Sequence, residues 1–292
     1  MFDLHPDDGA GQMAAIEFGP TDRPVDIVFL HANGFNGMTY RQILEPLGTG
    51  LRILALDQRG HGRSTLPTDL EGHAWSRYAD DLAALLAALP DRPRLLAGHS
   101  MGGAAILLAS LQMAAGRAPA MVLFDPVLRL PEDVPDAAAM AESPLTRGAK
   151  RRNAVFASRQ AALESYRGRG AFKTWPDAMV EDYLSDGLRP LDDGRFTLSC
   201  TPAWEAANFM SSYQTSALPA LRHPAATVHI LRAEHETTCA IGADAQAWGG
   251  QPQVRVETVS GTTHFLPMER PELVRSALLG ALSATDVASG RR

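Results

Sequence analysis

The stretch RLLAGHSMGG (94–103) sets Ser100 between Gly98 and Gly102, straight after an apolar run and ahead of an alanine-rich one. A serine hydroxyl is a weak nucleophile until a neighbouring base takes its proton. Glycine at 98 and 102 fits a sharp strand-to-helix turn, where a Cβ at either position would collide with nearby backbone. Such a turn holds the serine in a strained conformation and lifts its hydroxyl above the sheet. A helix starting at Met101 would aim its first N–H groups and its positive dipole end at the place where an oxyanion forms.

The base is expected at His264, in SGTTHFLPME (260–269). It follows the last strand-like run and a glycine turn and precedes the terminal helical stretch, which puts it on a loop at the sheet edge that carries Ser100. His5, His61, His73, His99, His223, His229 and His235 read as surface or turn residues. An imidazole base needs a carboxylate to hold its tautomer and stabilise the imidazolium. The chain order nucleophile, acid, histidine places that carboxylate after a strand between 100 and 264. We expect Glu236, two residues past the strand end in LRAEHETT (231–238), with Asp125 of LFDPV (123–127) as the alternative; Pro126 equally suits a turn-forming aspartate.

These residues need a scaffold. Residues 25–32, 51–57, 94–100, 120–126, 227–234 and 253–260 read as strands, most of them continuously apolar, as in a parallel sheet covered on both faces. YADDLAALLAALP (78–90), the stretch after Ser100, and PELVRSALLGAL (271–282), with Pro271 suited to a first helical turn, read as helices. The alternation predicts an α/β fold with a doubly wound, mostly parallel sheet. Residues 128–209 break the rhythm, with short helical segments and a local basic excess in RGAKRRNAVFASRQ (147–160). We expect an inserted helical cap there, residues 1–127 and 210–292 forming the core, and a frayed tail at 284–292.

Composition removes several function classes. Of 292 residues, 45% are hydrophobic and 21% charged, which excludes wholesale disorder, and the net charge of −6 gives no field for nucleic acid. The run AAILLASLQMAA (104–115) falls short of the roughly 20 residues that span a bilayer. The acidic start MFDLHPDDGAGQM lacks a secretory pattern, and Cys200 and Cys239 form no CxxC pair, so a cytoplasmic location is expected. HETTC (235–239) lacks the second histidine of a metal-binding H-E-x-x-H, and no metal or cofactor is expected. The expected partner is a small-molecule substrate, with the protein a monomer or homodimer.

Five motifs in order resemble the α/β-hydrolase fold superfamily over nearly the whole chain: HANGF (31–35), DQRGHGRS (57–64), GHSMGG (98–103), RAEHE (232–236) and GTTHFLPMERPE (261–272). The resemblance implies Ser100 as nucleophile, His264 as general base and Glu236 as acid, with the N–H of Met101 as one oxyanion donor and that of Asn33 as the second. The chain departs from the family by reading His-Ala at 31–32 where His-Gly is usual, and by placing glutamate at the acid site. Asp57, Arg59 and Ser64 are expected to lock a turn. His31 braces the oxyanion loop and joins Phe35, Trp175 and Trp204 around the pocket, with Trp75, Phe172 and Tyr183 as further candidates for the lining. Serine at the elbow argues against the dehalogenase and epoxide-hydrolase branches. The implied activity is hydrolysis of a small or medium, largely apolar ester through an acyl-enzyme. A carbon–carbon bond hydrolase, a cofactor-free perhydrolase and a non-catalytic receptor are the alternatives.

Overall fold

Runs of Ile, Val, Leu and Phe without polar alternation bury both faces, so such strands settle in the middle of a sheet with helices on either side. The computed structural model, which describes residues 1–4, 11–71 and 73–289, has this arrangement. His5 and residues 290–292 of the expected tail lie outside the described residues. Seven strands form the main sheet: β1 (Ala14–Phe18), β2 (Ile27–Leu30), β3 (Ile53–Asp57), β4 (Leu95–His99), β5 (Ala120–Phe124), β9 (Val228–Ala233) and β10 (Val254–Val259). Their order is β1-β3-β2-β4-β5-β9-β10, antiparallel only between β1 and β3.

The sheet divides two apolar layers. Val28 and Leu30 face one layer with α1 (Ser76–Ala88) and α2 (Met101–Ser110), while Ile27, Phe29 and Ala97 face the other. The terminal helix closes the second layer with the stripe Val274, Leu278 and Leu282, spaced by four. All ten residues of α2 are buried, which is why its sequence is apolar all round. Burying a side chain such as Phe29 contributes roughly 1.5–3 kcal/mol.

The six strands expected from the sequence are present, each a little shorter. The sequence reading places no strand ahead of 25–32, whereas β1 lies at the sheet edge with a half-exposed alternating pattern. Between β5 and β9 stand α3 (Pro144–Lys150), α4 (Arg159–Tyr166), α5 (Asp177–Gly187) and α6 (Pro202–Ser211), capped at Ser143, Ser158 and Thr201 where side-chain oxygens accept from the first turn. This stretch, expected as helical, also holds a small antiparallel sheet of β6 (Val155–Phe156), β8 (Phe196–Leu198) and β7 (Leu188–Pro190). Two- and three-residue strands leave no periodicity to read. The last helix, α7 (Pro271–Ser289), continues through most of the stretch expected to fray. Among the described residues no helix is long and apolar enough to cross a membrane.

Strand order brings the site together. β4, β5 and β9 are neighbours and β10 follows, so the turns after β4 and β5 and the loops after β9 and β10 meet at one carboxyl edge. Ligand sites of open α/β sheets form at that edge.

Candidate active site

Ser100 leaves β4 with φ of 56° and enters α2 directly. The turn is tied down by hydrogen bonds: the Ser100 N–H donates to the Phe124 carbonyl at 3.0 Å, and the Ser100 carbonyl accepts from Val127 N–H at 3.3 Å. A Cβ on Gly102 would stand 2.4 Å from the Leu30 carbonyl oxygen, and one on Gly98 would stand 2.8 Å from the Gly102 carbonyl carbon. Both glycines are therefore required by close backbone approach rather than by turn flexibility.

His264 meets the serine. Its Nε2 lies 3.0 Å from Ser100 Oγ, and its Nδ1 lies 2.6 Å from Asp125 Oδ2. The carboxylate against His264 is thus that of Asp125, and the expectation of Glu236 is corrected: Glu236 is exposed, in a tight turn with φ of 51°. The loop carrying Glu236 contributes its threonines instead. Thr237 donates its hydroxyl to Asp125 Oδ1, Thr238 donates its N–H to Oδ2 at 2.9 Å, and Ala233 donates its N–H to Oδ1 at 2.8 Å. Burial pushes the Asp125 carboxyl up, but the His264 hydrogen bond and charge, with those from Thr237 and Thr238, outweigh it and hold the group at about 2. Asp125 itself takes φ of 41°. A strained residue held by so many bonds is the kind of position where strain accompanies function.

Three histidines read from sequence as surface or turn residues, His61, His73 and His99, are buried. His99 is the structurally consequential one. Its Nε2–H donates to the His264 carbonyl at 2.7 Å, and its Nδ1 accepts from the Tyr40 hydroxyl at 2.7 Å. Tyr40 in turn accepts from the Ala32 N–H at 3.2 Å. Burial, with the neighbouring His264, lowers His99 to about 3, so it is neutral and the pattern has one consistent tautomer. The loop at 31–35, strand β4 and the His264 loop are thereby linked through one phenol and one imidazole. Tyr40→Phe leaves the Ala32 N–H and His99 Nδ1 without partners in a buried place. It is expected to cost roughly 1–3 kcal/mol of stability, measured by denaturant unfolding of the two proteins.

His31 and His61 fix the other side. His31 Nε2 accepts from the Gln58 N–H at 3.0 Å and its Nδ1–H donates to the Ala32 carbonyl, while His61 Nε2 accepts from the Gly34 N–H at 3.0 Å. Asp57 accepts from the N–H groups of Gly37 and Arg63, each at 2.8 Å, locking the turn as expected, and burial raises its carboxyl to about 6. Arg59 forms a buried two-bond pair with Asp81.

A cavity of about 480 Å³ opens over Ser100 and His264, lined mainly by apolar groups including Phe35, Trp75, Val127, Met140, Phe172 and Phe265. Met101 and Asn33 are on its wall, and neither backbone N–H has a hydrogen-bond partner among the described residues. Asn33 donates its side-chain amide to the Glu205 carbonyl at 3.0 Å. Of the four expected lining residues only Phe35 lines the cavity. His31 is wholly buried as a brace. Trp175 packs edge-on against Phe35 behind the wall, and Trp204 donates its indole N–H to the Arg59 carbonyl at 3.1 Å. Trp75 and Phe172 do reach the cavity, while Tyr183 stacks behind Phe172 and bonds Arg152. Among the described residues no cluster of three metal-ligating side chains is present.

The arrangement supplies what acyl transfer needs: a hydroxyl, a base in contact with it, a carboxylate behind the base, and unengaged N–H groups beside an apolar cavity. Sequence reading missed His99, Tyr40 and the Thr237–Thr238 pair. His99 carried a signal, since it immediately precedes Ser100; the partners of Tyr40 are too distant in sequence for any local pattern.

A model of the "Alpha/beta hydrolase family" matches residues 27–277. The chain is 25% identical over 260 residues to 2-(acetamidomethylene)succinate hydrolase of Mesorhizobium japonicum, covering 88% of each protein. It is 42% identical over 88 residues to the bifunctional esterase/perhydrolase DCH of Acinetobacter calcoaceticus, a match spanning 30% of this chain and 31% of that one. A crystal structure of E-2-(acetamidomethylene)succinate hydrolase superposes with a TM-score of 0.78 at 22% identity, covering 97% of both chains, a likeness of fold.

Proposed function

The chain belongs to the alpha/beta hydrolase family, and from that premise we propose that it is a serine hydrolase that cleaves a small or medium, largely apolar ester or related acyl substrate. The observation that carries this reading is the unbroken line Ser100 Oγ, His264 Nε2, His264 Nδ1, Asp125 Oδ2, with contacts of 3.0 and 2.6 Å, at the floor of an apolar cavity.

His264 takes the proton of Ser100 as Oγ attacks the substrate carbonyl carbon, and the oxygen of that carbonyl becomes an oxyanion between the N–H groups of Met101 and Asn33. His264, now charged and balanced by Asp125, gives its proton to the leaving oxygen as the carbon–oxygen bond breaks. The acyl group remains on Ser100. Water then attacks the acyl carbon, returns a proton to His264, and the acid leaves as Oγ recovers that proton. Residues 128–209 act as a lid over the core formed by 1–127 and 210–292. Pro144, Leu145 and Phe209 of that stretch line the cavity roof, which supports this role.

The likeness to an esterase/perhydrolase over 88 residues favours a second outcome for the same acyl-enzyme, attack by hydrogen peroxide instead of water to give a peracid. The test of the principal reading is rapid mixing with p-nitrophenyl butanoate. It is expected to give a burst of p-nitrophenol approaching one per protein, followed by slower turnover as water clears the serine. The absence of any Ser100-dependent release would overturn it.

A further inference from the structure

Among the described residues, the wall of the cavity carries three guanidinium groups, those of Arg129, Arg152 and Arg169, and one carboxylate, that of Glu205. Arg152 is engaged through both of its terminal nitrogens. It bonds Glu205 at 2.5 Å, the Tyr183 hydroxyl at 2.6 Å and the Tyr166 hydroxyl at 2.9 Å. That pairing uses the one carboxylate and leaves two cations on an apolar wall.

Arg129 is the more demanding of the two. Among the described residues its side chain forms no ion pair and no hydrogen bond, and its Nε is enclosed without a partner. Burial draws its pKa downward, opposed only by the charge of Asp133, which does not approach to ion-pair distance. A half-buried guanidinium whose Nε is cut off from water and has no partner leaves that donor unsatisfied, and a ligand that accepts from it removes the cost. Its place is also fixed. Val127 N–H is bonded to the Ser100 carbonyl, Leu128 N–H to the Thr238 carbonyl at 3.0 Å, and the Leu128 carbonyl accepts from Ala240 N–H at 2.9 Å. In this extended stretch Leu128 turns into the core, so Val127 and Arg129 share the cavity face. The guanidinium is thus carried on backbone pinned to the nucleophile turn and to the loop that holds Asp125. At the cavity margin, exposed Arg169 adds a second cation, and Arg147, Lys150 and Arg151 stand exposed in and just after α3 beside the lining residues Gly148 and Ala149. Part of the local basic excess at 147–160 therefore lies along one side of the cavity, in a chain whose net charge is −6.

We infer that the substrate of this site carries a carboxylate in addition to its scissile acyl bond, and that Arg129 is the specificity-determining residue that binds it, with Arg169 at the rim. The inference rests on the serine-hydrolase reading for the bond that is cut, but the anion site stands on its own geometry. The planar fork of arginine matches a carboxylate through two parallel hydrogen bonds. The basic rim steers anions toward the cavity, an effect that weakens with salt.

Two pairs of esters of matched shape test it, one with the charge on the acyl part (monoethyl glutarate against ethyl 5-methylhexanoate) and one with it on the alcohol part (acetoxyacetate against isobutyl acetate). The unaltered protein is expected to favour the anionic member of at least one pair by tenfold or more in kcat/KM. Arg129→Met lowers kcat/KM for that ester by roughly 10- to 150-fold, at least ten times more than for its neutral counterpart, and Arg129→Lys recovers part of the loss. Preference for the neutral ester in both pairs, or equal losses on both members, overturns the inference. A separate arm removes chemistry: glutarate binding to Ser100→Ala measured by calorimetry, expected to be lost on adding Arg129→Met. If no ester is turned over, the serine-hydrolase reading fails while glutarate binding still decides the anion site; glutarate that does not bind, or binds equally without Arg129, sinks the anion site alone.

Discussion

Replacing Ser100 with alanine is expected to lower kcat for p-nitrophenyl butanoate by about 10⁴- to 10⁶-fold, with KM little changed. Removing Oγ removes the covalent route but leaves the cavity, His264, Asp125 and the two N–H groups of Met101 and Asn33, so the small residual rate reports binding and oxyanion stabilisation alone. The fold should persist, because Ser100 is held through backbone bonds to Phe124, Val127 and Ala104 that alanine retains. Steady-state assays beside thermal melts of both proteins check the prediction. A variant that melts like the parent and retains a tenth of its rate would move the nucleophile elsewhere.

The second large effect separates two carboxylates. Asp125→Asn is expected to lower kcat by roughly 10⁴-fold, because an amide nitrogen facing His264 Nδ1 favours the tautomer that protonates Nε2, the nitrogen that must accept the serine proton. Glu236→Gln, exposed and away from His264, is expected to stay within about twofold. The first substitution also has a pH signature. Asp125 is held at about 2 against an ordinary value of 3.8, so its contribution to stability is complete above pH ~4 and is lost as pH falls toward 2. The Asp125→Asn variant has no carboxylate there to titrate, so its acid unfolding should be flatter across the same window. Equal kinetic losses from both substitutions would contradict the assignment.

The contrast between Asp125 and Glu236 marks where sequence stops informing. Ser100 and His264 were legible because glycine spacing and strand-to-helix context are local, and the six core strands because buried parallel strands are continuously apolar. The carboxylate that faces His264 was not, since the ends of β5 and β9 are adjacent in the sheet and a carboxylate at either sits near the same loop. What decides between them is the direction of the HETT turn. Glu236 at φ of 51° faces outward, and Thr237 and Thr238 turn inward to bind Asp125. β1 escaped notice because its five residues, two of them alanine, are too short a run for the alternation to stand out, and His99 because its partners Tyr40 and His264 come from remote segments. Arg129 was invisible for a related reason. Nothing in LFDPVLRL tells which side chains the pairing of Leu128 with Cys239 turns toward the cavity.

The central claim is that the Ser100 hydroxyl is the activated nucleophile of this cavity, and a fluorophosphonate, which forms a stable bond only with an activated serine, tests it most directly. After incubation of the whole protein, peptide mass spectrometry should find one phosphonyl adduct, on Ser100, and labelling should fall sharply in His264→Ala. Stoichiometric labelling at a different residue, or none at Ser100 in the folded protein, would contradict the account.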